Sequence, residues 1–122
     1  MKKSDVLSGR GISIQQPFVE QILQGVKLYE YRSRPTKIRG RVYLYASLTP
    51  GEASRWKNTG FNPGELPSGV IVGSLEIIDC KWFPKLQCYG YELAKPKRYK
   101  ENMKPENRAQ PCWFFPFGKG EE

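Results

Sequence analysis

The chain has 122 residues, 39% of them hydrophobic, enough for one modest core and too few for a second domain. Histidine is absent, and the three cysteines, Cys80, Cys88 and Cys112, show no C-x-x-C spacing, which argues against a zinc site, a disulfide framework and the commonest general base. Twenty Lys and Arg against twelve Asp and Glu leave a net charge of +8, and no apolar run reaches the roughly eighteen residues of a membrane span.

Residues 1–10 carry two lysines but no apolar stretch after them, so they read as a flexible lead-in, not a signal peptide. Gly11 to Gln15 alternates as a first strand. Gln16-Pro17 then opens a helix, and Phe18, Val19, Ile22, Leu23 and Val26 supply an apolar face at helical spacing. Gly25 falls where a left-handed helix cap is wanted. Leu28–Arg32 reads as a strand with Glu30 and Arg32 on one face and Tyr29 and Tyr31 on the other.

Arg41–Ser47 is a third strand, with Val42, Leu44 and Ala46 toward the core and Tyr43 and Tyr45 away from it. Thr49 to Trp56 can form a short helix with Thr49 as its cap, and 60–68 is a loop rich in Gly, Pro and Asn. Gly69–Cys80 is the longest apolar strand, and Gly73 in its middle predicts a bulge or a close backbone approach. Tyr89–Leu93 is another strand, 96–111 is irregular, and Cys112–Phe115 closes the fold before a tail at 118–122. The pattern predicts an α+β, β-rich domain over 11–117. Its expected form is a small, partly open barrel of about five to six strands with one main helix and one or two short ones.

Positive charge is clustered. Arg32, Arg34, Lys37, Arg39 and Arg41 have no acid among them, and 95–108 carries six cations against Glu101 and Glu106. Clustered cations neutralise phosphates and release counterions, so RNA or another single-stranded nucleic acid is the expected partner. The protein is expected to be a cytoplasmic monomer with reduced, mostly buried thiols, bound to no membrane, metal or cofactor.

Ser13-Ile14-Gln15-Gln16-Pro17, then Gly25-x-Lys27-x-x-Glu30-x-Arg32, then Gly40-x-Val42-x-Leu44-x-Ala46-Ser47, resembles the activating signal cointegrator homology (ASCH) domain. The long strand at Gly69–Gly73 and the segments around Tyr91-Glu92-Leu93 and Trp113 extend the likeness over roughly 11–117. The resemblance implies a PUA-like barrel with a basic cleft between barrel and first helix. Family members are mostly read as RNA-binding modules, with acetylcytidine amidohydrolase activity in a bacterial branch and nuclease activity also described.

The candidate nucleic-acid contacts are Gln16, Lys27, Glu30, Arg32, Arg34, Tyr45 and Ser47. Lys27, just past the helix-capping glycine, could pair with phosphate or, if desolvated, act as a base. Glu30 and Arg32 suit an ion pair that braces the cleft or meets a ligand. Gln16 offers an amide to a base edge or caps the helix, and Ser47 offers a hydroxyl or simply ends its strand. Glu76 interrupts an apolar strand, and a solvent-facing side chain is the simpler reading than one in the cleft. The alternative to binding is a nucleotide-processing enzyme using Lys27 and Glu76. Against amidohydrolysis, the related branch resembles Lys-x-x-Thr, with threonine as nucleophile, whereas position 30 here is Glu. A peptide-binding module is a third reading of the same cleft.

Overall fold

The structure, a computed structural model, describes residues 7–118. Six strands and one short helix follow one another as β1 (Leu7–Ile14), α1 (Phe18–Leu23), β2 (Tyr29–Arg32), β3 (Gly40–Ala46), β4 (Val70–Phe83), β5 (Cys88–Met103) and β6 (Trp113–Phe114). They form one sheet in the order β2-β5-β4-β3-β1-β6, curled into the expected partly open barrel. All neighbouring pairs are antiparallel except β1 and β3, which α1 and β2 separate in sequence.

Alternation on β3 works as its sequence dictates. Val42, Leu44 and Ala46 are fully buried, facing Ile12 and Ile14 of β1, Leu75 and Ile77 of β4, and Val19 and Ile22 of α1. Burying each Val or Leu side chain contributes about 1.5–3 kcal/mol. The opposite face is not free, because Tyr45 packs with Ile71 and Phe114 in a second, smaller cluster and is only 5% exposed. The chain covers this face by returning as β6 alongside β1.

Several elements differ in length from expectation. β1 begins at Leu7, so the lead-in expected over 1–10 falls partly on a strand; residues 1–6 lie outside the described residues, as do 119–122 of the expected tail. α1 stops at Leu23 because Gly25, at φ +79°, turns the chain. Gly25 N–H donates to Ile22 O at 3.0 Å and Val26 N–H to Gln21 O at 2.9 Å, the paired bonds of a Schellman cap. Val26 is therefore thrown off the apolar face and is 70% exposed. The second helix is one 3-10 turn, Ala53–Trp56, and Thr49 does not cap it. The Thr49 N–H instead approaches Ser47 Oγ at 3.3 Å.

The largest difference is β5, which continues through 96–103, a stretch expected to be irregular. Lys95, at φ +47°, forms a bulge that accommodates Pro96, after which the ladder with β4 resumes at Lys97 and Arg98. Opposite lies Gly73, where any Cβ would collide with the Lys97 carbonyl oxygen. The predicted close approach is real, and its partner is the backbone of β5. The three thiols are free and half-buried rather than mostly buried. Among the described residues no helix is long and apolar enough to cross a membrane.

Candidate functional site

The Schellman cap decides where Lys27 goes. Its own N–H also donates to Gln21 O at 3.1 Å, so the residue leaves the helix end in a fixed direction. The ammonium lies 4.9 Å from the Phe18 ring centroid, 5.0 Å from that of Tyr31 and 3.8 Å from Glu30 Oε1. Period two on β2 brings Arg32 to the other side of the same carboxylate, with Nε donating to Glu30 Oε2 at 2.9 Å. The two cations thus share one buried anion.

Arg32 does more than pair. Its Nη2 donates to the Ser13 carbonyl at 2.7 Å, at the end of β1. In the sheet order β2 is one edge and β1 lies next to the other, so this guanidinium joins the two ends of the open barrel. Beneath it, Tyr91 on β5 stacks near Trp113 of β6, with ring centroids 6.4 Å apart. The Tyr91 hydroxyl donates to the Arg34 carbonyl at 2.7 Å. Burial pushes that phenol up to about 12.

Above Arg32 opens a cavity of about 380 Å3. Phe18 of α1 and Glu30, Tyr31 and Arg32 of β2 form one side. Ser13 and Gln15 from the end of β1, Ser47 after β3, and Pro111 form the other. Tyr31 is 41% exposed, with its ring set near Tyr29 and Phe83 (centroids 6.1 and 5.7 Å away) and the Lys27 ammonium over it.

Burial opposes charge throughout this pair. Glu30 is held above the usual carboxylate range chiefly by desolvation, with Arg32 and Lys27 pulling it back. Lys27 is lowered chiefly by desolvation, opposed by Glu30 and assisted by Arg32 and Arg55. Cys112, nearby, is raised by burial.

The candidate residues divide. Glu30, Arg32 and Ser47 line the cavity, whereas Lys27 does not line it and touches it only through its contacts with Glu30, Phe18 and Tyr31. Gln16 does not line it; it is 3% exposed, and both ends of its amide are used. Its Oε1 accepts the Glu20 N–H and its Nε2 donates to Pro67 O, both at 3.0 Å, which makes it a helix cap. Gln15, one residue earlier, takes the place at the rim. Arg34 is exposed beyond β2 and lines none of the cavity, and Tyr45 lies in the second cluster described above while also lining an adjoining hollow.

Glu76 neither faces water nor enters the cavity. It is 4% exposed, 3.9 Å from Arg41 Nη2 and 3.6 Å from Lys95 Nζ, on the sheet's other face. Arg41 is itself buried, donating to Ser74 Oγ at 2.8 Å and Lys95 O at 3.0 Å. A Lys27–Glu76 acid–base couple is not assembled. Glu20, which the sequence pattern did not single out, makes a bidentate pair with Arg98 at 2.7 and 3.0 Å and pins α1 to β5. The clue available was a lone acid beside the apolar stripe of a short helix. Among the described residues no group of three or more His, Cys, Asp or Glu could hold a metal ion.

The sequence pattern of the ASCH domain matches this chain over residues 12–112. Activating signal cointegrator 1 of Homo sapiens and that of Mus musculus are each 33% identical to it over 57% of this chain. The same alignments cover 14% of each of those proteins, so the chain spans a small part of their length. The match runs from β1 through β5 and takes in every residue that shapes the cavity, and the chain belongs to the ASCH domain family.

Proposed function

We propose that this domain binds single-stranded nucleic acid, RNA in the first instance, by admitting an unpaired base or nucleotide into the cavity beside α1. The observation that carries the reading is Tyr31, a half-exposed ring on the wall of an open 380 Å3 hollow with Arg32 and Lys27 behind it. Unpaired bases stack on such rings, and Ser13, Ser47, Gln15 and Arg32 bring hydroxyl, amide and guanidinium groups to the same cavity, types that can pair with base edges. Membership in the ASCH family, whose members are mostly read as RNA-binding modules, supports the same reading.

The test is a titration of fluorescein-labelled single-stranded RNA at about 50 and 200 mM salt, with wild type and Tyr31→Ala. Expected are binding that weakens as salt rises and a fall of roughly 5- to 150-fold in affinity for Tyr31→Ala, the worth of one base–aromatic stack. Tyr31 is a partly exposed strand residue, so its loss leaves the buried core intact. No binding at low salt, or equal affinity in the variant, refutes the proposal.

A further inference from the structure

We infer that the bound strand's sugar-phosphate backbone leaves the cavity along an adjoining trough, lined among the described residues by the cations Arg108 and Arg10 and by no carboxylate, so that the natural ligand is an oligonucleotide and not a lone nucleotide. The inference rests on the nucleic-acid reading above and specifies where the phosphates go.

At the cavity wall and behind it, the cations are already engaged. Arg32 donates to Glu30 and to Ser13 O, and Lys27 lies between two rings with Glu30 beside it. Such a site can read a base but has little charge to offer a phosphate. Across Ser13, Ser47 and Pro111, however, the cavity adjoins a second hollow of about 270 Å3, which also contains Arg108 and Gln110. Those two residues also line a third hollow of about 320 Å3, which holds Arg10 beside Phe115. Among the described residues no Asp or Glu lines either of these two hollows. Fixed cations without a nearby carboxylate, beside amides and rings, concentrate polyanions.

The walls are tied together by backbone and side-chain hydrogen bonds. The N–H groups of Glu106 and Asn107 both donate to Pro116 O at 2.9 Å, and Asn107 Nδ2 donates to Phe115 O at 2.7 Å. At the other end of this strap Ser13 N–H donates to Cys112 O at 2.7 Å. Arg10 is steadied with its guanidinium carbon 4.9 Å from the Phe115 ring centroid, a cation–π contact.

The experiment measures fluorescein-labelled hexauridylate RNA by anisotropy across about 50 to 200 mM salt, for wild type, Arg10→Gln, Arg108→Gln and the double variant. Each phosphate contact contributes about 0.7 to the slope of log affinity against log salt on a single strand. The expected slope is therefore shallower by about 0.7 in each single variant and about 1.4 in the double, with weaker binding at low salt. Free uridine, followed by its NMR shifts at Tyr31, is expected to bind wild type and double variant alike. Hexamer binding with an unchanged slope in the double variant overturns the trough and leaves the cavity reading standing. Loss of uridine binding in the double variant also overturns it, since cavity and trough are then not separate. Failure of wild type to bind the hexamer at all overturns both.

Discussion

Arg32 joins the barrel's two ends, and its replacement by Met measures that role. The thioether side chain keeps much of the stem's packing and removes both hydrogen bonds, 2.9 Å to Glu30 and 2.7 Å to Ser13 O. A hydrogen bond to a charged group contributes about 1.5–3 kcal/mol, and stripping one partner from a buried ion pair costs about 3–5 kcal/mol. Arg32 is 26% exposed and Lys27 still faces Glu30 at 3.8 Å, so the low end applies, about 3 kcal/mol. With a urea m-value of about 2 kcal/mol/M, the midpoint falls by about 1.5 M. Because part of that cost is the stranded carboxylate, adding Glu30→Gln to Arg32→Met should restore about 1–2 kcal/mol, a coupling only interacting sites show. Urea melts of wild type, both single variants and the double decide the matter. A loss under about 1 kcal/mol in Arg32→Met, or strict additivity in the double, would refute the account of this guanidinium as the fastening between β2 and β1.

Gly73→Ala is expected to cost about 2–3 kcal/mol, since its new methyl meets the Lys97 carbonyl oxygen in a paired strand that cannot easily retreat; a thermal midpoint close to wild type would count against the close approach. Glu30 gives a pH signature of definite sign. Its folded value lies above the ordinary 4.5, so between the two the native state holds a proton that the unfolded chain has lost, and its contribution to stability falls as pH rises through that window. Urea melts from about pH 4 to 8 should show wild type losing ground to Glu30→Gln as pH rises above 4.5, and a gap that is flat or widens the other way contradicts the burial-driven shift.

The site was legible in the sequence where local geometry alone fixes it. Period two on β2 puts Glu30 and Arg32 on one face, and the glycine cap at Gly25 aims Lys27 toward them. Val42, Leu44 and Ala46 follow from the same alternation, as does the close approach at Gly73. What was not legible depends on contacts distant in sequence. Tyr45 points away from the main core as expected, yet the outer face is covered by Phe114, about seventy residues later. Glu76 is buried because Arg41 and Lys95, on the two flanking strands, come to it. The stretch 96–103 looks irregular because its side chains are polar and largely exposed, but a β-ladder is made by backbone groups, and the Lys95 bulge absorbs Pro96. Gln15 and Gln16 are adjacent amides, and the turn into α1 decides which is capped inward and which faces the cavity.

The open sheet ends in two very short strands, four residues in β2 and two in β6. Long bare flanks are where foreign chains add themselves by main-chain pairing, and stubby ones give such additions little length to grip. Recognition by this domain accordingly falls to its side chains and hollows, and growth of the sheet into a neighbour, the usual route from a small β-protein to a fibre, starts from a poor template.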